Sequence, residues 1–111
     1  MLLGFEVSPE QLKQRLDAGE DMLVLDVRDL GEYSIAHIDG AKLIPHKALP
    51  GRLESLAPWR DKPVVIYCHR GDRSMEAMEV LKDAGFTELK ILAGGIDAWC
   101  EDIEPHKPRY E

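Results

Sequence analysis

An α/β fold with a mainly parallel sheet is the class this sequence predicts, on three observations. Short apolar runs at Met22–Val27, Pro63–Tyr67 and Leu89–Leu92 alternate with longer stretches of helical periodicity. The first two runs are almost continuously apolar, as strands covered on both faces are. Strands separated by helices are joined by crossovers rather than hairpins, and so pair in parallel. The 111 residues, 44% apolar and 32% charged, suit one globular domain over residues 1–111, with an extended tail from about residue 100.

Ser8-Pro9-Glu10-Gln11 marks the first helix. Ser8 is a capping residue, Pro9 suits the first helical position, and Gln11 completes a capping box. Val7 and Leu12 are spaced as a hydrophobic staple, and Gly19 terminates the helix after Ala18. After the strand at Met22–Val27, a short helix is predicted from about Asp29 to Ala36, with a turn at Asp39-Gly40. Ala41–Ile44 reads as a further strand stopped by Pro45, and Lys47–Trp59 as a weak helix resting on Leu49, Leu53 and Leu56. The strand Pro63–Tyr67 leads to a helix over Ser74–Ala84 with Ala77, Val80, Leu81 and Ala84 on one face, closed by Gly85. Leu89–Leu92 is the last strand. Gly94-Gly95 breaks the pattern before a short helix around Ile96–Glu101, and the remainder is polar and punctuated by prolines.

A net charge of −7, from 21 acidic and 14 basic residues, argues against nucleic acid or an anionic membrane as the partner. No stretch approaches the roughly 20 apolar residues that span a bilayer. Met1-Leu2-Leu3 runs at once into Gly4-Phe5-Glu6 with no signal-peptide core, so a cytoplasmic location is expected. The two cysteines, Cys68 and Cys100, make no disulfide framework. The acidic composition and modest size fit a monomer.

Chemistry concentrates in Cys68-His69-Arg70-Gly71-Asp72-Arg73, set between a strand and a helix. A cysteine there stands at the strand's carboxyl end, facing the first N–H groups of the following helix, where an anion is favoured. A thiolate is such an anion. Gly71 lets the backbone curl, and His69, Arg70 and Arg73 form a positive island on an acidic chain. A lone cysteine after an apolar strand is ordinarily an inert core residue. Here its charged neighbours predict an exposed or cleft-lining loop, and hence a cysteine within reach of solvent and substrate. In parallel sheets ligands bind beyond the carboxyl ends of the strands, which is where Cys68 falls.

The chain resembles a single-domain rhodanese, a sulfurtransferase, from about Val7 to Trp99. The landmarks are Leu25-Asp26-Val27-Arg28, Glu32, His37-Ile38-Asp39-Gly40-Ala41, Val65-Ile66-Tyr67-Cys68 with its loop, and Gly94-Gly95-Ile96-Asp97-Ala98-Trp99. Each is weak alone; their order and spacing together are specific. The resemblance implies a three-layer sandwich in which helices flank a central, mainly parallel, five-stranded sheet. It implies that Cys68 takes the outer sulfur of a small anionic donor such as thiosulfate, holds it as a persulfide, and yields it to cyanide or a thiol. It further implies that the backbone N–H groups from His69 to Arg73, through Arg70, Gly71 and Asp72, stabilise the sulfur anion. Arg73, and Arg70 nearer the mouth, are then candidates to pair with the donor. No cofactor is implied: Gly71, Gly94 and Gly95 make no nucleotide fingerprint. Cys68, His69, Cys100 and His106 lack metal-ligand spacing.

The related cell-cycle phosphatases carry a longer loop from cysteine to arginine, one that encloses a phosphate group. The six residues here make a tighter ring, better suited to one sulfur atom, so a phosphatase or arsenate reductase is the lesser alternative. Asp26, Arg28 and Glu32 resemble the family's structural charge network, and His37 orders the turn before Gly40; Ala36 stands where the family commonly has glycine. His69 either adds positive potential or points into solvent, and Asp72 tempers the island while capping the helix. Cys100 reads as a half-buried structural thiol. A second alternative is a sulfur carrier or docking module serving a protein acceptor. The segment from Trp99 to Tyr110 loosely resembles rhodanese domains fused to molybdopterin-synthase-activating proteins.

Overall fold

The computed structural model describes residues 4–69 and 72–108. Five strands, β1 (Glu6–Val7), β2 (Leu23–Asp26), β3 (Lys42–Leu43), β4 (Val64–Tyr67) and β5 (Leu89–Leu92), form one sheet in the order β1-β5-β4-β2-β3. Every pairing is parallel. The helices are α1 (Pro9–Asp17), α2 (Leu30–Ile35), α3 (Asp72–Asp83) and α4 (Gly95–Asp102).

The two central strands β2 and β4 are buried along their whole length, which explains their unbroken apolar sequence. Period-two alternation then sorts their side chains. Leu23, Leu25 and Val27 with Val64, Ile66 and Cys68 pack toward Ala77 and Leu81 of α3. Val24, Val65 and Tyr67 pack on the other face, toward Leu12 of α1 and Ile96, Trp99 and Cys100 of α4. Cys68 and Cys100 therefore belong to cores on opposite faces of the sheet, and Cys100 is buried rather than half-buried.

Local signals formed as read at α1. Ser8 Oγ accepts from the N–H of Gln11 at 3.1 Å, and Gln11 Oε1 accepts from the N–H of Ser8 at 2.9 Å. Gly19 follows with φ +72°, a left-handed turn. A second capping box, Asp29 with Glu32, opens α2.

Three expectations are corrected. The region Lys47–Trp59 is two 3-10 segments, Leu49–Gly51 and Leu53–Trp59, because Pro50 and Pro58 each remove a backbone donor from an α-helical ladder. Strand β1 escaped the sequence reading, since two residues carry no periodicity. The segment after residue 100 is not simply extended. Helix α4 runs to Asp102, and Glu104 then folds back, accepting from Trp99 Nε1 at 2.9 Å and pairing with Lys107 at 3.1 Å.

The topology locates the crevice. From β2 the chain moves outward to β3, whereas from β4 it moves to β5 on the other side. The carboxyl ends of the neighbouring strands β2 and β4 thus form a topological switch point, where open parallel sheets bind ligands.

Candidate active site

Cys68 directly follows β4 at this switch point, and its neighbours hold it from three sides. Its carbonyl accepts from the N–H of Ile96 at 2.9 Å, and the carbonyl of His69 accepts from the N–H of Asp97 at 3.4 Å. The amino end of α4 thereby fixes two consecutive carbonyls of the loop. In a planar trans peptide the N–H points opposite to the C=O, so the N–H of His69 is turned away from α4. Gly94 and Gly95 make this approach possible. Both adopt positive φ, +74° and +60°, and a Cβ on Gly95 would fall on the carbonyl oxygens of Cys68 and His69.

The Cys68 side chain is fully buried, contrary to the expectation of an exposed thiol. The alternation along β4 explains it. Cys68 continues the Val64–Ile66 row into the core beneath α3, whatever the polarity of the residues that follow. The sulfur nevertheless lies just below the surface, because Sγ donates to Oδ1 of Asp72 at 3.9 Å and Asp72, the first residue of α3, is exposed. The sulfur therefore faces the amino end of a 12-residue helix, the end that favours an anion. Arg70 and Gly71, the middle of the predicted cradle, lie outside the described residues.

The positive island is also corrected. Arg73 is gripped by Glu32, with Nη1 and Nη2 donating to the two carboxylate oxygens at 2.5 and 2.8 Å. His69 does not point freely into solvent: its Nε2 meets Asp97 Oδ1 at 2.9 Å. Arg28 and Asp26 form a fully buried pair in which Nη2 and Nε donate to Oδ2 and Oδ1 at 2.7 and 3.0 Å. Each of these three side chains meets a carboxylate. Among the described residues, the crevice therefore presents the amino end of α3 rather than unmatched side-chain charge.

The Asp26–Arg28 pair is structural, as expected. Arg28 Nη2 also donates to the carbonyl of Ala36 at 2.6 Å, and its guanidinium lies 5.4 Å from the centroid of the Tyr67 ring. The Tyr67 hydroxyl accepts from the N–H of Ile38 at 3.1 Å. Burial first, and the nearby Asp26 carboxylate second, raise the Tyr67 phenol above its ordinary range. His37 orders its turn by stacking on Tyr33, ring centroids 3.9 Å apart, with Nδ1 3.0 Å from the Tyr33 carbonyl.

Beside these residues a cleft of about 200 Å3 is lined by Arg28, Asp29, Pro45, His46, Lys47 and Arg73. It opens at the carboxyl ends of β2 and β3. Among the described residues no cluster of three or more His, Cys, Asp or Glu side chains could hold a metal ion, and no helix is long and apolar enough to cross a membrane.

Sequence reading missed Asp97 as the partner of His69, and Gly95 as the residue that admits α4 to the loop. Asp97 had no local signal, being 28 residues from its partner. Gly94-Gly95 had one, a glycine pair at a helix start, but it was read only as a break.

Residues 8–102 match the family described as "Rhodanese-like domain". The chain is 43% identical over 108 residues to the "Probable adenylyltransferase/sulfurtransferase MoeZ" of Mycobacterium tuberculosis, an alignment covering 96% of this chain and 27% of that protein. It thus spans about a quarter of that relative's length. It is 37% identical over 95 residues to a "Sulfurtransferase" of Allochromatium vinosum, covering 86% of this chain and 87% of that one. Among solved structures, the rhodanese-related protein of Thermoplasma volcanium superposes with a TM-score of 0.77 at 30% identity, over 90% of this chain and 94% of the other.

Proposed function

The chain belongs to the rhodanese-like domain family, and within it we propose that this protein moves sulfane sulfur through a persulfide on Cys68. One observation carries the reading: the Cys68 sulfur stands at the β2/β4 switch point facing the amino end of α3, in a loop whose carbonyls are tied back by α4. A thiolate is the nucleophile the chemistry needs, and the helix end and loop amides are the groups that receive its negative charge.

In the first step the Cys68 thiolate attacks the outer sulfur of thiosulfate. A Cys68 S–S bond forms, the S–S bond of thiosulfate breaks, and its electron pair leaves on sulfite. In the second step cyanide or a thiolate attacks the outer sulfur of the persulfide, and the pair returns to Cys68 as thiolate. No net redox change and no cofactor is required. The N–H groups of the loop and the first turn of α3 act as an oxyanion hole does, stabilising charge on sulfur where it develops. Arg73, held by both carboxylate oxygens of Glu32, positions the first turn of α3 beside the cleft.

Intact-mass analysis after incubation with thiosulfate tests this reading. One added sulfur, removed by cyanide and missing from Cys68→Ser, is the expected result. A Cys68→Ser chain that still gains sulfur overturns the assignment.

A second reading, delivery of the sulfur to a protein acceptor, is favoured by one observation. The alignment with MoeZ covers 96% of this chain. On this reading thiosulfate-to-cyanide turnover is slow, while persulfidated protein passes its sulfur quickly to a specific protein thiol.

A further inference from the structure

Ser74 carries a hydroxyl with no apparent purpose. Its Oγ is buried and is the one such side-chain oxygen or nitrogen, among the described residues, without a hydrogen-bond partner. Leaving a buried hydroxyl unmatched opposes folding, and native structures hold few such groups. A serine inside a helix usually donates to the carbonyl four residues back, and Ser74 makes no such bond.

The position of Ser74 points to its use. It lies in the first turn of α3, and spacings of three and seven residues put it on the same face as Ala77 and Leu81. Those two pack in the core that contains Cys68, and α3 runs back along the sheet from the carboxyl end of β4. Ser74 therefore sits on the inward face at the level of the cysteine. We propose that Ser74 Oγ–H is a catalytic hydroxyl that donates a hydrogen bond to the Cys68 sulfur whenever that sulfur is anionic. This rests on Cys68 being the sulfur-bearing residue.

The structure also supplies the complementary state. The neutral thiol gives its hydrogen to Asp72 and is only a weak acceptor. When the proton leaves, the sulfur becomes a charged and much stronger acceptor, the partner assigned to the Ser74 hydroxyl. The hydroxyl then stabilises Cys68 both as attacking thiolate and as the leaving thiolate of the second step.

The test is a pH titration of the Cys68 thiolate by its ultraviolet absorbance, isolated by subtracting Cys68→Ser, in wild-type, Ser74→Ala and Ser74→Thr chains. This readout needs no reagent to reach the buried sulfur. Among the described residues, the ionisable side chains at this end of the sheet are Asp72 and the pairs Arg73–Glu32, His69–Asp97 and Arg28–Asp26; all are retained in the Ser74 variants, so a shift belongs to the hydroxyl. Ser74→Ala is expected to move the midpoint up by about one pH unit and to slow sulfur loading at neutral pH about tenfold, the loss of one charge-assisted hydrogen bond. Loading rates converge in strong alkali, and Ser74→Thr restores both quantities.

A merely structural serine gives a different outcome. Ser74→Ala then unfolds no earlier, having lost an unmatched hydroxyl, and its midpoint equals the wild-type value; that result overturns the proposal. If Ser74→Ala does not fold cooperatively, the isosteric pair Ser74→Thr and Ser74→Val makes the same comparison at matched volume. Failure of the wild-type chain to take up sulfur at all would instead sink the Cys68 reading. The two failures are thereby distinguished.

Discussion

Glu32 grips Arg73 with both carboxylate oxygens, at 2.5 and 2.8 Å, while Oε1 also accepts from the N–H of Asp29 at 3.3 Å to complete the cap of α2. One side chain thus closes a helix start and anchors the first turn of α3 across the crevice. Both partners are largely buried, with 17% and 23% of their side-chain surface exposed. The pair belongs to the packed wall of the cleft rather than to a solvated surface, where an ion pair contributes little.

Replacing Glu32 by Ala is therefore expected to destabilise the protein by about 2 kcal/mol, from two charge-assisted hydrogen bonds and half a capping box. Denaturant unfolding measures it. A loss below about 0.5 kcal/mol would place Arg73 among solvated surface charges.

Asp26→Asn removes the charge that balances the fully buried Arg28. An uncompensated buried guanidinium costs about 3–5 kcal/mol. A chain of this size is expected to lose most of its stability, seen as a large fall in Tm. Sulfur loading per folded molecule stays intact, since the pair supports β2 and the turn at Ala36 rather than the sulfur.

Gly95→Ala and Gly19→Ala separate conformation from contact. Both glycines have positive φ, +60° and +72°, but nothing lies near a Cβ at Gly19, whereas at Gly95 it meets the Cys68 and His69 carbonyls. Gly19→Ala is expected to cost about 1 kcal/mol and leave activity unchanged. Gly95→Ala is expected to cost about 3 kcal/mol and to lower sulfur loading more than tenfold, because the loop carbonyls must move. Equal effects of the two substitutions would contradict the role given to the α4 amino end.

Tyr67 sets the alkaline limit. Its folded-state phenol is raised by burial and by Asp26, so above about pH 10 the unfolded chain loses this proton while the folded chain keeps it. The folded state then binds more protons, and stability falls as pH rises. Tyr67→Phe is expected to flatten that alkaline fall. At neutral pH it costs about 1–2 kcal/mol, because the N–H of Ile38 loses its acceptor. Unfolding curves at neutral and alkaline pH check both.

Much of this protein is determined by its sequence alone. Continuous apolar runs and helix caps are local signals, so strands β2, β4 and β5, the boxed start of α1 and the parallel α/β class were legible. So was the placing of Cys68 between a strand and a helix, since that too is a matter of neighbours in the chain. The tertiary structure alone decided what the cysteine's surroundings do. Alternation along β4 buries a sulfur that its polar neighbours had suggested was exposed. Arg73 and His69 meet carboxylates 41 and 28 residues away, turning an apparent island of positive charge into matched pairs. Charge in a sequence counts residues; the field at an atom depends on which of them the fold brings within hydrogen-bonding distance, and no local pattern records that distance.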